Sequence, residues 1–341
     1  MRAAVFEGLG KPLGIRTVPD PAPLPEQVVL RVCRCGICGS DLHMSADPEA
    51  GYRPGVTPGH ELAGEVVAVG TAVSRLRVGD RVTATAVLGC GRCAACAAGD
   101  PFGCPVFQAD PSACGLWGGF GQYTVVPERH CVVLPEALSM ADGALVEPLA
   151  CSLHGVRRAR LQPGARVLVL GAGSVGLGAV FWARRLGAGR IAVAARSHRG
   201  EELAMKLGAT AFLAHETDRA AQAHAALGGP PDVVLECVGR PGMINEAMML
   251  ARLRGTVVVL GMCTGPDVAI PVIGLMKELE LRFAVTYSVA EFEHVVDALA
   301  RGAPELRAMH TGTVGLDALP QAFEALRQPN DHCKLMVDPW A

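Results

Sequence analysis

The sequence lacks three features that mark membrane, secreted or nucleic-acid-binding proteins. Its formal net charge is only −2 over 341 residues, so no basic excess favours a nucleic acid as partner. No apolar run approaches the roughly 20 residues that a membrane helix needs. Residues 1–7 carry no apolar signal core and are typical of a first strand. These absences predict a cytoplasmic protein with neither a nucleic-acid nor a membrane partner.

Internal repeats and low-complexity segments are also missing, and the length predicts about two domains with ample core. The 13 cysteines, by contrast, are many for a cytoplasmic protein. Because disulfides are disfavoured in that compartment, clustered cysteines there suggest metal binding.

Four cysteines are closely spaced in one loop rich in glycine and alanine. Cys90, Cys93, Cys96 and Cys104 form the pattern C-x2-C-x2-C-x7-C. Four thiolates so close can converge on one tetrahedral zinc ion and leave no open position, so this site is predicted to be structural. The alternatives are unrelated free cysteines or an iron–sulfur cluster. Zinc fits better in a chain with no other redox signature.

A glycine-rich turn follows a short apolar run, 166–170, and opens an apolar helical pattern. Gly171 allows a tight turn, Gly173 lets the backbone approach a pyrophosphate, and Gly176 lets helix and strand pack closely. A second buried strand is predicted at 191–195. Strand, glycine turn, helix and strand indicate a dinucleotide-binding unit, whose helix N-terminus offers N–H groups to phosphates. The alternative is a plain glycine turn.

The pattern of predicted elements changes twice along the chain. Residues 1–148 contain short strands separated by Pro and Gly turns, whereas residues 149–284 alternate helices with apolar strands of a parallel sheet. Residues 285–341 return to a mixed pattern. The sequence therefore predicts an α/β protein in which a doubly wound dinucleotide-binding domain is inserted into a β-rich domain.

The β-rich region also contains a mixed set of metal-ligating residues. Cys38, His60 and a carboxylate supply S, N and O ligands, and three protein ligands are typical of a catalytic zinc site. Taken singly, Cys38 could be a packed residue and His60 a satisfied core histidine. The combination with a zinc loop and a dinucleotide fold favours the catalytic interpretation.

The chain resembles the zinc-dependent medium-chain dehydrogenases, on the branch of sorbitol, threonine and butanediol dehydrogenases. The resemblance covers nearly all 341 residues and rests on motifs in the family order: 36–43, 59–61, the four-cysteine loop, 147–149 and 171–176. It implies that the β-rich domain is the GroES-like catalytic domain and that the inserted domain is a Rossmann domain.

The resemblance implies two zinc ions per chain, one catalytic and one structural. Cys38 and His60 would be ligands of the catalytic zinc, and either Glu61 or Glu147 would be the third, because both can serve on this branch. Asp41 would orient His60. A zinc ion lowers the pKa of a hydroxyl that it holds.

Two further residues of the same motif have implied roles in proton transfer. Ser40 would take the proton of the alcohol, and His43 would pass it outward. The structural alternative for Ser40 and Asp41 is helix N-capping, which is compatible with these roles.

The cofactor residues implied by the glycine turn and by the ends of further strands form one set. They are Gly171, Gly173, Ser174, Val175, Gly176, Ala195, Arg196, Arg199, Cys237, Val238, Gly239, Leu260, Gly261 and Met262. The turns 237–239 and 260–262 would line the nicotinamide end.

The end of the second nucleotide-domain strand predicts a preference for NADP(H) over NAD(H). An acidic residue usually stands there in proteins that prefer NAD, where it binds the ribose 2′-hydroxyl. Here the strand ends at Ala195, and Arg196 and Arg199 follow. Alanine leaves room for a 2′-phosphate, and arginine can bind it. The alternative is that both arginines are ordinary solvated charges.

The substrate is predicted to be a secondary alcohol or its ketone. Polyol dehydrogenases of this branch commonly carry an arginine after the nucleotide domain, and Arg282, the only candidate here, is displaced toward the strand start. A polyol-, sorbitol- or threonine-type dehydrogenase using NAD remains the main alternative. A non-enzymatic zinc and nucleotide-binding protein and a zinc-free quinone reductase are further ones. The resemblance also implies a homotetramer or homodimer.

Overall fold

The computed structural model describes residues 1–49, 51–110, 118–214 and 218–341. The chain forms two compact units. Unit 1 contains Met1–Glu147 and Thr286–Ala341, and unit 2 contains Pro148–Val285. Unit 2 is thus continuous in sequence, whereas unit 1 is made of the two flanking segments.

The elements alternate in type along unit 2 more regularly than along unit 1. The strands are β1 (Arg2–Val5), β2 (Gly14–Thr17), β3 (Gln27–Gly36), β4 (Glu61–Val69), β5 (Arg81–Ala84), β6 (Tyr123–Pro127), β7 (Cys131–Val133), β8 (Arg166–Leu170), β9 (Arg190–Ala195), β10 (Ala211–Ala214), β11 (Val233–Glu236), β12 (Thr256–Val259), β13 (Glu280–Phe283), β14 (His310–Gly315) and β15 (Lys334–Asp338).

The helices lie in both units, and one of them runs across the boundary in sequence. They are α1 (Gly39–Met44), α2 (Ala94–Ala97), α3 (Pro105–Ala109), α4 (Met140–Ala159), α5 (Ser174–Arg185), α6 (Glu201–Lys206), α7 (Arg219–Leu227), α8 (Met243–Leu250), α9 (Pro271–Lys277), α10 (Val289–Ala300) and α11 (Leu319–Ala325). Short 3-10 helices cover Pro101–Gly103, Glu128–His130, Pro304–Met309 and Leu316–Ala318.

Unit 1 is built on a seven-stranded sheet in which β3 is the central, longest strand. The strand order is β14-β15-β3-β4-β5-β7, and β6 pairs with β3 beside this path. β3 pairs antiparallel with β4, β6 and β15. Apolar side chains of these strands form the core, where the rings of Phe120 and Phe323 meet edge to face at 6.4 Å. Of the two groups of metal-ligating side chains described below, one lies where β3 and β4 pair and the other lies in the loop after β5.

Unit 2 is a six-stranded parallel sheet of order β10-β9-β8-β11-β12-β13. Its central strands are almost fully buried, as expected for a sheet that helices cover on both faces. Successive strands run from β8 to β10 toward one edge of the sheet and from β11 to β13 toward the other edge. Doubly wound sheets bind dinucleotides at the point where the strand order reverses in this way. The parallel, doubly wound fold predicted from the sequence is therefore confirmed.

The sequence pattern located the two strands beside the glycine turn but not the longest helix. The apolar run 166–170 forms β8, and the strand predicted at 191–195 lies within β9, which begins at Arg190. Helix α4 was not predicted, because Gly143 and Pro148 interrupt its pattern. Within the described residues, no helix is both long and apolar enough to span a membrane.

Candidate functional site

The four cysteines of the loop after β5 gather at one point of unit 1. The sulfur atoms of Cys90, Cys93, Cys96 and Cys104 all lie within 4.8 Å of one another. Short α2 brings Cys93 and Cys96 together, because the Cys93 sulfur caps its N-terminus and accepts the Cys96 N–H at 3.5 Å. The Cys104 sulfur accepts the Cys90 N–H at 3.3 Å. Backbone turns of this loop thus point four thiols inward.

Backbone donors around this loop favour the thiolate form at two of the four positions. The N–H groups of Phe107 and of neighbouring residues lower the pKa of Cys104 to about 6. The pKa of Cys90 is also lowered, first by the Arg92 N–H. Burial raises the pKa of Cys96 to about 11. Because zinc binds thiolates and completes a tetrahedron with four of them, the loop fits a closed zinc site.

A second group of metal-ligating atoms forms where β3 and β4 pair. Register pairing of Gly36 with Glu61 brings the end of β3 beside the start of β4. Cys38 lies two residues after the end of β3, and His60 lies directly before β4. Their ligand atoms and one carboxylate oxygen of Glu61 all lie within 4.8 Å of one another. A Cβ atom at Gly36 would lie only 2.0 Å from Glu61 Oε2. Glycine at this position is what leaves space for the carboxyl group.

The fully buried Asp41 connects three parts of this second group. Its carboxyl group accepts the Cys38 N–H at 2.9 Å and the Tyr52 hydroxyl at 2.6 Å, and it lies 3.3 Å from His60 Nδ1. Burial raises the pKa of Asp41, but His60 and these donors outweigh burial and lower it below its ordinary value. Burial lowers the pKa of His60, whereas the Asp41 carboxylate raises it well above the ordinary value. The Asp41 carboxylate thus lies beside the His60 ring, where the family resemblance expects the residue that orients it.

Glu61 makes an ion pair that leaves one of its oxygens unused. Lys334 Nζ lies 2.6 Å from Glu61 Oε1, and both side chains are buried, at 1% and 0% exposure. Lys334 Nζ also donates to the Ile37 carbonyl at 3.1 Å. Among the described residues, no hydrogen-bond partner lies near Glu61 Oε2, which is buried. An orphaned carboxyl oxygen beside a thiol and an imidazole is a donor set that fits zinc.

The buried charges of the second group would fit a divalent cation once its ligands have lost their protons. Zinc binds the thiolate of cysteine and the neutral form of histidine, so in that state Cys38, Asp41 and Glu61 would carry three negative charges against the one positive charge of Lys334. A Zn²⁺ ion would then balance the excess, since uncompensated buried charge is costly.

The other predicted residues of unit 1 lie outside this close group. Glu147 is buried in α4 and belongs to neither of the two metal-ligating groups found in the described part of the chain. Ser40 and His43 both lie on α1, which begins directly after Cys38. Ser40 is half-buried and His43 is exposed. Residues three apart lie on the same face of a helix, so Ser40 and His43 are neighbours, with Ser40 on the more buried side and His43 on the side of the solvent.

The glycine turn of unit 2 has the conformations that its role requires. Gly171 has a φ of 103°, and a Cβ at Gly176 would lie 2.1 Å from the Gly171 carbonyl. A Cβ at Gly173 would meet nothing within 4 Å, so the backbone is open to an incoming group there. Ser174 and Val175 form the first turn of α5. Free N–H groups at this helix N-terminus suit a phosphate.

The remaining predicted cofactor residues follow neighbouring strands and therefore share one edge of the sheet. Glu236 at the end of β11 pairs in register with Leu170 of β8 and Val259 of β12. The turns 237–239 and 260–262 begin directly beyond them, and β9 ends at Ala195 on the same edge. Arg196 and Arg199, the two residues predicted to select the cofactor, are exposed.

Three buried polar residues of these sites were missed by sequence reasoning. They are Tyr52, Glu236 and Lys334. The signal for Lys334 was available, since a lysine that opens an apolar strand is buried only when it is paired. Glu236 likewise ends an apolar strand. Tyr52 lies in a loop whose sequence gives no such signal.

Comparisons with known proteins agree with this geometry. Residues 24–136 match the alcohol dehydrogenase GroES-like domain family, and residues 174–301 match the zinc-binding dehydrogenase family. The chain is 32% identical to sorbitol dehydrogenase of Bacillus subtilis, with 99% of this chain and 97% of the relative covered.

Solved structures match over the whole chain as well. A Sinorhizobium meliloti protein with bound NADP has a TM-score of 0.86 and 32% identity, with 99% of both chains covered. The 2R,3R-butanediol dehydrogenase of Bacillus subtilis has a TM-score of 0.83 and 28% identity, again with 99% of both chains covered. The fold and the family predicted from the sequence are thereby confirmed. The chain belongs to the zinc-dependent medium-chain alcohol dehydrogenases of the sorbitol dehydrogenase-like branch and is an NAD(P)-dependent alcohol dehydrogenase.

Proposed function

We propose that this alcohol dehydrogenase holds one catalytic and one structural zinc ion per chain and transfers hydride between a weakly polar secondary alcohol, or its ketone, and NADP(H). The observation that carries the proposal is the pair of ligand groups in unit 1. One offers three different donor atoms, and the other offers four sulfur atoms. Open sites with three protein ligands are catalytic, and closed four-sulfur sites are structural.

Cys38, His60 and Glu61 would hold the catalytic zinc. Glu61 is preferred to Glu147 as the third ligand, because its orphaned Oε2 belongs to the group and Glu147 does not. The zinc ion supplies Lewis acidity, which lowers the pKa of an alcohol hydroxyl. Asp41 keeps His60 oriented, and Lys334 neutralises part of the negative charge of the site.

Ser40 and His43 would carry the substrate proton to water. Ser40 is half-buried two residues beyond Cys38, so its hydroxyl could accept the proton of the alcohol while giving up its own proton toward His43, as the alcohol carbon transfers hydride to the nicotinamide. His43 stands one turn further along α1 and is exposed, so it can exchange that proton with solvent. The helix thus offers a two-step path from the reacting hydroxyl to water.

The surroundings of Ala195 support NADP(H) as the preferred cofactor. No acidic side chain ends β9, and Arg196 makes no ion pair with any described residue, so its guanidinium is available to a 2′-phosphate. The Sinorhizobium meliloti structure that resembles this chain holds NADP. Glu201, the first residue of α6, is paired with His198 at 2.7 Å.

Steady-state kinetics with both cofactors test this preference. Arg196→Ala should raise the KM for NADP by about tenfold and leave the KM for NAD nearly unchanged, because a charge-assisted hydrogen bond is lost. Ala195→Asp should reverse the preference. Arg185→Ala, at an arginine near the end of α5 that lies over the Phe181 ring, is the matched control. Equal or better efficiency of the wild type with NAD would contradict the proposal.

The contacts of Arg282 support a weakly polar substrate. Its guanidinium lies on β13, donates to the Arg158 carbonyl at 2.5 Å and pairs with Glu280, so its donors are engaged within unit 2. The similar Bacillus subtilis structure is a 2R,3R-butanediol dehydrogenase, whereas the similar Bacillus subtilis sequence is a sorbitol dehydrogenase.

A panel of 2,3-butanediol, 2-butanol, xylitol and sorbitol tests the choice between a weakly polar alcohol and a polyol as substrate. We expect kcat/KM to be at least about tenfold higher for the first two, and the reverse order would favour a polyol dehydrogenase.

The proposal includes a homodimer or homotetramer in the cytoplasm. Leu275, Met276 and Phe283 are 74%, 73% and 61% exposed on α9 and on the edge strand β13. An exposed apolar edge of this kind favours pairing with a second copy. The cysteines of the described residues are free thiols, which agrees with a reducing compartment. Analytical ultracentrifugation of the wild type and of Phe283→Lys tests the assembly, and a monomeric wild type would contradict it.

A further inference from the structure

Glu236 is a buried acidic residue for which the proposed reaction has no role. It ends β11 and is 1% exposed. No cation forms an ion pair with it among the residues described by the structure. A carboxyl group in such a position is costly unless hydrogen bonds satisfy it. Its partners therefore indicate why it is there.

The hydrogen bonds of Glu236 join two separate turns. Side-chain Oε1 accepts the N–H groups of Val238 and Gly239 at 2.6 and 3.0 Å. Its main-chain carbonyl accepts the N–H groups of Leu260 and Gly261 at 2.8 and 2.9 Å. One residue thus fixes the backbone of the turn after β11 and the backbone of the turn after β12.

The two turns touch backbone to backbone, with no room for a side chain between them. Gly239 has a φ of 67°, and a Cβ there would lie 2.5 Å from the Met262 carbonyl oxygen. A Cβ at Gly261 would lie 2.1 Å from the Gly239 nitrogen and 2.6 Å from Glu236 Oε2. The position of each turn therefore depends on the other and on the Glu236 carboxyl group.

We propose that Glu236 is a positioning residue that holds the turns 237–239 and 260–262 in the arrangement that receives the nicotinamide half of the dinucleotide. The inference rests on the proposed function, in which these two turns line the nicotinamide end. The adenosine half would meet the glycine turn and the end of β9, which make no hydrogen bond with the Glu236 side chain among the bonds of the described residues. Loss of the carboxyl group should therefore weaken only one half of the cofactor site.

Binding measurements with two ligands test this separation. The dissociation constants of NADP⁺ and of 2′-phospho-ADP-ribose, which lacks only the nicotinamide, are measured by calorimetry, and those of NAD⁺ and ADP-ribose are measured in parallel. Glu236→Ala should raise the dissociation constant of each dinucleotide about tenfold, because two buried N–H groups lose their acceptor. The values for the two fragments should change less than twofold. Glu236→Gln, which keeps an acceptor oxygen, should recover most of the affinity.

A second variant and a control keep the result interpretable if Glu236→Ala unfolds. Gly239→Ala should produce the same selective loss, because its Cβ would force the turns apart without removing the carboxyl group. Asp232→Asn changes the carboxyl group just before the start of the same strand and should alter neither dissociation constant.

The outcomes separate the two proposals. An equal loss of affinity for dinucleotide and fragment, or no loss for either, would overturn the inference and leave the proposed cofactor site standing. A wild type that binds neither dinucleotide would overturn both.

Discussion

The two groups of metal-ligating side chains in unit 1 are built in opposite ways. The four-cysteine group comes from fifteen consecutive residues, Cys90 to Cys104, and its donors are identical. The second group joins Cys38 after β3 to His60 and Glu61 at the start of β4, with buried Asp41 and Lys334 around them. One group is local and closed, whereas the other depends on the sheet.

This difference indicates which of the two metal ions would stabilise the fold and which would take part in the reaction. If the four closely spaced thiols bind zinc as proposed, that binding would be part of folding, because a closed site has no open position for a substrate. The second group is held in place by strand pairing, an ion pair and hydrogen bonds that need no metal. A zinc ion bound there would therefore contribute to the chemistry more than to the fold. The predictions below test this division.

The largest expected effect follows from removing a ligand of the group formed by Cys38, His60 and Glu61, called the sheet-borne group below because the pairing of β3 with β4 forms it. Cys38→Ala should lower kcat/KM by about 10³-fold or more, because the Lewis acid is lost. Zinc content should fall from two to one per chain, and Tm should change by only about 2 °C, because β3 and β4 pair without the metal. Cys33→Ala, at a half-buried thiol outside both groups, is the control. A variant with activity within tenfold of the wild type would contradict the assignment.

The same substitution in the cysteine loop should have the opposite result. Cys96→Ala should lower Tm by roughly 10 °C, since the loop loses a metal that is part of its fold. The folded fraction should keep most of its kcat and its catalytic zinc. Differential scanning calorimetry, metal analysis and kinetics on one preparation give all three values, and Cys263→Ala is the control in unit 2. A stable but inactive Cys96→Ala would exchange the roles of the two groups.

Lys334→Met tests how the buried negative charge of Glu61 is compensated in the sheet-borne group. In metal-free protein it should reduce the free energy of unfolding by about 3 kcal/mol, because the Glu61 carboxylate stays buried without its cation. Zinc should shrink this loss by supplying positive charge, and Lys334→Met with Glu61→Gln should restore much of the stability. Urea unfolding with and without zinc measures the difference. An equal loss of unfolding free energy with and without zinc would show that zinc does not compensate the Glu61 carboxylate when Lys334 is removed.

Ser40→Ala separates proton transfer from metal binding within the same group. It should lower kcat about 100-fold at neutral pH with zinc content unchanged, because a positioned proton acceptor is lost. His43→Ala should cost less, and imidazole in the buffer should rescue part of it. Ser45→Ala, at the other end of α1, should keep its activity. Full activity in Ser40→Ala would exclude the proposed path.

Local spacing in the sequence was enough to predict which residues the fold brings together, whereas contacts between distant strands could not be predicted. The cysteine spacing and the glycine turn predicted compact groups that the fold reproduces, because their residues are neighbours in the chain. The proposed preference for Glu61 over Glu147 depends on the register of β3 with β4, which the sequence alone did not provide. Lys334 lies 273 residues from its partner Glu61, a separation that no local pattern reveals. Helix α4 was missed because packing overrides the propensity of its Gly and Pro.

Asp232 is the reference for these comparisons, because its carboxylate is paired with arginines and belongs to neither metal-ligating group of the described residues. Arg166 contacts it at 3.1 Å and Arg252 at 2.6 Å, and its side chain is 24% exposed. Burial raises its pKa, but the two arginines and the Arg166 N–H outweigh burial and lower the pKa to about 2. This is the ordinary way in which a protein compensates a partly buried carboxylate.

The smallest expected effect comes from Asp232→Asn, and its pH dependence has a fixed sign. A folded pKa below the unfolded value of about 3.9 stabilises the protein above pH 4, and this contribution is lost as pH falls toward 2. Solvent screening limits it to about 1 kcal/mol. The difference between Asp232→Asn and wild type should thus stay constant from pH 8 to 5 and narrow below pH 4. It should be the same with and without zinc, unlike that of Lys334→Met. A zinc-dependent difference would show that buried charge in unit 2 is coupled to the metal sites, and the division between the two groups would then be incomplete.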